Sequence, residues 1–212
     1  MSNQAFIDGQ NLYMNTKANS WTVDLARFRV YLKERYDVEK AYYFLGAVDE
    51  DNQDLYEKIQ TAGFILVFRE HSQSMIGKKK GNVDTDIVFT VMSKIADKEQ
   101  FDNVVLVSGD GDYYKMVKYL IEKERFAKLL APNRHSTSSL YRPFTPKYVD
   151  FLDNTGVKKR LNIRKRNNKK RALLRYCSVR ITRIGIYLHY IKSDPKSQYG
   201  LSLPSIPVRD KM

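Results

Sequence analysis

Five aspartates in three well-separated segments carry the strongest chemical signal of this 212-residue chain. Asp8 lies in FIDGQNLY, Asp84 and Asp86 in KKKGNVDTDIVF, and Asp110 and Asp112 in VLVSGDGDYY. Carboxylates gathered closely repel and raise one another's pKa. A hard divalent cation relieves that repulsion, and Mg²⁺ in particular is often held by few carboxylates while keeping several waters. Such an ion generates a nucleophile from water and neutralises charge on a phosphoryl oxygen during transfer. The two glycines of SGDGD allow a sharp turn and close approach of the backbone to a phosphate. Each residue also has a plainer reading. Asp-Gly after a strand commonly forms a turn, and Asp84 and Asp86 are charges that a helix start favours. Residues two positions apart on a helix stand about 200° apart around its axis, so these two cannot both face one site, and Asp84 is taken as the inward one.

For the acids to meet, the chain must deliver three segments to one edge. Short apolar runs rich in β-branched and aromatic residues alternate with longer amphipathic stretches. Strands are expected at Ala5–Ile7, which enters a turn at Asp8-Gly9, and at Lys40–Ala47, Phe64–Arg69, Asn103–Val107 and Phe126–Ala131. Between them, helices are expected from Asp24 through Leu32, over Asp51–Ala62, over Asp84–Ala96 and over Tyr113–Glu124. The runs NVVLV and FILVF are apolar on both faces, as in a parallel sheet covered on both sides. The expected fold is therefore α/β, a parallel five-stranded sheet sandwiched by helices. Leu140–Leu152 is read as a closing helix or extended cover, limited by Pro143 and Pro146. In such sheets the functional crevice lies beyond the carboxyl ends of the strands, where Asp8, Asp110 and Asp112 fall. Convergence at one edge gives the acids more weight together than any has alone.

Charge divides the chain in two. Of 37 Lys/Arg and 24 Asp/Glu, residues 157–212 hold 16 basic and 2 acidic side chains, leaving 21 against 22 in residues 1–156. A near-neutral body with a basic tail fits a polyanionic partner such as nucleic acid, or a tail that only aids solubility. The expected organisation is a folded domain over 1–156 and a basic, largely disordered tail over 157–212, in which KKRLNIRKRNNKKR has no apolar face for packing. The single cysteine, Cys177, excludes an internal disulfide framework and fits a reducing compartment. The N-terminus lacks the pattern of a secretory signal, and no apolar run approaches the ~20 residues of a spanning helix. A cytoplasmic protein without membrane contact is the expectation. Lys78, Lys79 and Lys80, just before the acidic third helix, and Arg69, at the end of the third strand, could neutralise a nucleic-acid backbone or could simply be solvated. Tyr13, Tyr113 and Tyr114 follow the acidic motifs and could stack on unpaired bases, although packing is the commoner role. His71 stands alone, and no Ser-His-Asp order, Walker loop or zinc-ligand spacing is present.

The three motifs FIDGQNLY, KKKGNVDTDIVFTVM and VLVSGDGDYYKMVKYL, in this order and spacing, resemble the NYN domain family of PIN-like ribonucleases and its LabA-like bacterial group. SSLYRPFTPKYVDFLD resembles how such domains end, so the likeness runs from residue 4 to about residue 153. It implies a PIN-like sheet with an acidic, Mg²⁺- or Mn²⁺-dependent site that hydrolyses RNA. Asp8, Asp84, Asp110 and Asp112 match the family's acidic positions, and Asn11 matches the amide that accompanies the first of them. Asp86 matches a frequently acidic position. Thr90 departs from relatives that carry a further acid on this helix, which bears on a second ion. The implied function is a metal-dependent ribonuclease acting on single-stranded RNA. The alternative is an RNA-binding or regulatory module whose site no longer turns over.

Overall fold

The computed structural model describes residues 2–69 and 83–163. Lys78, Lys79, Lys80, His71 and everything from residue 164 onward, including most of the expected tail, lie outside the described residues. Two central strands set the architecture. All four residues of β4 (Val104–Val107) are fully buried. Val105 and Val107 join Ala5 and Ile7 of β1 (Asn3–Asp8) in one core layer, while Val104 and Leu106 join Phe6 in the other. Strand side chains alternate between faces, so an all-apolar run demands cover on both. The first layer is closed by α1 (Gly9–Ala18), α2 (Leu25–Tyr36) and α3 (Gln53–Thr61), which contribute Leu12, Phe28, Leu32 and Ile59. The second is closed by α4 (Val83–Ala96), α5 (Tyr114–Glu122) and a 3-10 turn over Ser139–Phe144, contributing Ile87, Val91, Val117 and Tyr141.

The sheet has six strands, not the five expected, in the order β3 (Ile65–Phe68), β2 (Val38–Leu45), β1, β4, β5 (Phe126–Ala131), β6 (Val149–Phe151). Every neighbouring pair is parallel. The sixth strand is only three residues long and pairs Leu129 with Val149. Pro143 and Pro146 confine the preceding segment to a 3-10 turn, and three residues are too few to show a period of two. A second difference lies at Asp8-Gly9, which opens α1 and does not turn the chain. Asp8 is the N-cap and accepts from the Asn11 main-chain N–H at 2.9 Å. That helix buries only Gly9, Leu12 and Thr16, so its apolar stripe is too thin to read as amphipathic.

A third difference concerns the start of the expected tail, since a helix α6 spans Thr155–Leu161. Leu161 is 1% exposed in the first core layer and Val157 packs beside it, four residues apart on one helix face. Two apolar residues suffice for so short a helix. The main chain then clasps the α1–α2 connection: Asp24 N–H donates to the Leu161 carbonyl at 2.7 Å and Ile163 N–H to the Thr22 carbonyl at 2.9 Å. Among the described residues no helix is long and apolar enough to cross a membrane.

The strand order reverses between β1 and β4. From β1 the chain builds outward through β2 and β3, and from β4 through β5 and β6 on the other side. Crossovers leaving in opposite directions open a crevice at the carboxyl ends of β1 and β4. Because α6 packs in the first layer, a chain ending at residue 156 should melt well below one ending at residue 165. Loss of a buried leucine alone is worth ~2–5 kcal/mol. Equal urea midpoints for the two lengths would mean that α6 contributes nothing to the body.

Candidate metal centre

Asp8 is the last residue of β1, only 5% exposed, and each of its carboxylate oxygens has a partner. Oδ1 accepts the Asn11 main-chain N–H, and Oδ2 lies 3.1 Å from the Tyr113 hydroxyl. Glycine follows because α1 begins hard against β2. A Cβ on Gly9 would stand 2.3 Å from Tyr43 Cε1 and 2.7 Å from the Phe44 carbonyl oxygen. Across the crevice, β4 ends in Ser108-Gly109-Asp110. Asp110 caps the 3-10 turn Gly111–Tyr113, its Oδ1 accepting the Asp112 N–H at 3.2 Å, while its own N–H donates to the buried Ser108 Oγ at 3.1 Å. The Tyr141 hydroxyl donates to the Asp110 carbonyl. Asp84, in the first turn of α4, accepts from the Tyr113 hydroxyl.

Asp84, Asp110 and Asp112 each offer a carboxylate oxygen, and the three atoms lie within 4.8 Å of one another. Ligands of a six-coordinate Mg²⁺ stand about 3.0 Å apart when adjacent and about 4.2 Å when opposite, at about 2.1 Å each from the ion, so the three carboxylates could share one ion by drawing closer together. The donors are all oxygen, which suits Mg²⁺ or Mn²⁺ and not the nitrogen and sulfur sites that zinc prefers. Asp8 is not one of this trio, and the Tyr113 hydroxyl links it to Asp84.

The remaining candidates occupy distinct places. Asn11 works with both its main chain and its side chain: the N–H holds Asp8, and Oδ1 accepts the Gly109 N–H at 3.0 Å. Asp86 does not join the trio. Its Oδ2 faces Arg69 Nε at 4.0 Å, and it is one of the buried side-chain atoms without a hydrogen bond, as is Arg69 Nη1. The Thr90 hydroxyl donates to the Asp86 carbonyl at 2.7 Å. Tyr13 is 52% exposed on α1, and Tyr114 stacks on Phe144 at 5.7 Å, whereas Tyr113 is fully buried. Sequence reasoning gave no role to the hydroxyls of Tyr113, Tyr141 and Ser108. The one available signal was that Tyr113 directly follows the acidic run.

Burial, above all, pushes the Asp8 carboxyl above its ordinary value of 3.8, and the charges of Asp84 and Asp110 push the same way. The hydrogen bonds from Asn11 and Tyr113 oppose this. Burial, followed by the neighbouring carboxylates, raises the Tyr113 phenol far out of reach, so it stays protonated and can only serve as a neutral hydroxyl. Tyr141 and Tyr43 are raised by burial too, each with an acid of this crevice as the next cause.

The family model of the NYN domain matches residues 4–170 of this chain. The chain is 27% identical, over 157 residues, to the Low amplitude and bright protein LabA of Synechococcus elongatus, covering 70% of this chain and 82% of that protein. It also resembles the crystal structure of a protein of unknown function from Vibrio parahaemolyticus, with a TM-score of 0.61. That likeness, at 20% identity over 76% of this chain and 96% of the other, is one of fold. Acids from three segments at one sheet edge and a family match spanning most of the sequence lead to the same assignment: the chain belongs to the NYN domain family.

Proposed function

We propose that this NYN-domain protein is a metal-dependent ribonuclease, hydrolysing RNA phosphodiester bonds with Mg²⁺ or Mn²⁺ at the β1–β4 crevice. Members of the family are typically nucleases, which supports a hydrolase in the coarse sense. What carries the finer reading is the set of three carboxylate oxygens within 4.8 Å at the end of the sheet. Asp84, Asp110 and Asp112 would hold the ion. When bound, a divalent cation supplies an acidified water and neutralises charge on the phosphate under attack.

The chain's own groups set the geometry for that chemistry. Asp8, unable to reach solvent, orients Asp84 through the shared Tyr113 hydroxyl. Asn11 ties Gly109 to α1 and so fixes the loop from which Asp110 and Asp112 project. The Asp110 main chain is held from both sides, its N–H by Ser108 and its carbonyl by Tyr141. Arg69, beside Asp86, is a candidate contact for the RNA backbone, and Asp86 restrains it. Thr90 spends its hydroxyl within α4 and brings no carboxylate, which favours one ion over two. The same observation favours the second reading, an RNA-binding module with little or no turnover.

Labelled single-stranded RNA should be cut by the purified protein in Mn²⁺ and spared in EDTA. Asp110→Asn should slow cutting by ~10²–10³-fold, the cost of removing one charge-organising group, with the far-UV spectrum unchanged. Full activity in that variant overturns the assignment. Salt-sensitive binding by the unsubstituted protein, without metal-stimulated cutting, selects the regulatory module.

Stability supplies an independent check. A carboxyl whose folded pKa lies above its unfolded value costs stability once pH rises through the folded pKa, and costs nothing below the unfolded one. Metal-free Asp8→Asn should therefore be more stable than the parent at pH 7, the gap closing as pH falls below the ordinary 3.8. Urea melts in EDTA at neutral and acidic pH measure this. An Asn variant that is weaker at pH 7 would show that charge burial at Asp8 is not the dominant cost.

A further inference from the structure

Next to the acidic crevice, the loop after β5 and the 3-10 turn Ser139–Phe144 enclose a cleft of about 440 Å³, in the size range of small-ligand sites. Among the described residues that line it none is acidic, while Arg134, His135 and Arg142 are basic, with hydroxyls of Thr137 and Ser138 between them. This is unusual on a body whose first 156 residues carry 21 basic and 22 acidic side chains. The two basic ends differ in how they are held. Arg134 stacks on Phe151, 3.9 Å from the ring centroid, and donates to Asn154 Oδ1 at 3.1 Å, so its guanidinium is fixed in place. Arg142 is exposed and forms no ion pair with a described residue, so its charge is available.

The cleft and the crevice share a wall. Tyr141 lines the cleft and donates its hydroxyl to the Asp110 carbonyl. Ser138 N–H donates to the Gly109 carbonyl at 2.9 Å, and a Cβ on Gly111 would meet Ser138 Oγ at 2.7 Å. A strand laid across Asp84, Asp110 and Asp112 is repelled by them at each phosphate that no cation covers. Cations just outside the acidic group are what keep the neighbouring phosphates down. Phosphate contacts of this kind set register without reading sequence.

We propose that the Arg134–Arg142 cleft seats the phosphate of a nucleotide adjoining the scissile bond of single-stranded RNA, Arg142 supplying the free charge and Arg134 the fixed one. This rests on the ribonuclease reading for its substrate class. The test uses the full chain carrying Asp110→Asn as a non-cutting host, with a short fluorescent single-stranded oligoribonucleotide followed by anisotropy over a salt series. Adding Arg142→Ala should weaken binding several-fold and flatten the slope of log K against log salt by ~0.7, one phosphate contact on a single strand. Lys33→Ala, an exposed cation on α2 across the sheet, should do neither. An unchanged slope in Arg142→Ala, or an equal loss in Lys33→Ala, overturns the proposal. Cutting by the unsubstituted chain is scored separately. Cutting without an Arg142 effect keeps the nuclease and discards the cleft. An Arg142 effect without cutting keeps the cleft and discards the nuclease.

Discussion

A phenol has one proton, and at Tyr113 two carboxylates compete for it. The hydroxyl lies against Asp84 Oδ1 and 3.1 Å from Asp8 Oδ2, with the ring fully buried and Asp8 only 5% exposed. With both acids ionised only one of these bonds can form, and the other oxygen is left facing a lone pair. Such a mismatch costs far more in a buried place than at the surface. A proton on Asp8 resolves it, which is the direction in which burial pushes that group. Withdrawal of charge from Asp84 by a cation eases it as well. Either way one oxygen atom joins three elements, because Asp8 comes from β1, Tyr113 from the turn after β4, and Asp84 from α4, whose buried Ile87 and Val91 already pack it on the sheet.

The acids occupy helix starts, and that placement gives each a defined orientation. Asp8 caps α1 and Asp110 caps the 3-10 turn, each with Oδ1 taken by a main-chain N–H two or three residues on. A capping bond satisfies an orphan donor and at the same time fixes the second oxygen's direction. Asp84 in the first turn of α4 sits where the helix end favours negative charge. Three helix or turn starts gathered at the strand-order reversal make like-charged side chains tolerable before any ion is considered. Fold topology supplies the place, and capping chemistry supplies the aim.

How much of this the residues announce depends on the signal each leaves. Val104–Val107 and Phe126–Ala131 are apolar runs with sharp ends, and both strands fall where the pattern puts them within a residue. Val149–Phe151 leaves too short a trace for periodicity, and α1 buries one large apolar side chain, so neither stands out. Leu161 is hidden among arginines and lysines, although its spacing from Val157 marks a helix face. The acidic positions were legible because carboxylates from three distant segments fall at one sheet edge, where independent turns have no reason to cluster. Their wiring was not. That the Asn11 side chain reaches Gly109 while its main chain holds Asp8, or that Asp86 turns to Arg69, depends on rotamers and neighbours that only the packed fold fixes.

The crevice wall is continuous in hydrogen bonds, which bears on how firmly the acids are held. Asn15 Nδ2 donates to the Asn11 carbonyl at 2.9 Å, and Asn15 Oδ1 accepts from Ser136 Oγ at 2.5 Å. Asn11 Oδ1 takes the Gly109 N–H, and the Gly109 carbonyl takes the Ser138 N–H. The circuit therefore runs from α1 to the loop after β4, on to the loop after β5, and back to α1. Loops alone hold side chains loosely, and a site that depends on sub-ångström placement needs them braced by rigid elements. Here each of the two loops is tied both to the other and to α1, the helix that Asp8 caps. A displacement of the loop after β5 must therefore be felt at Gly109, the residue that precedes Asp110.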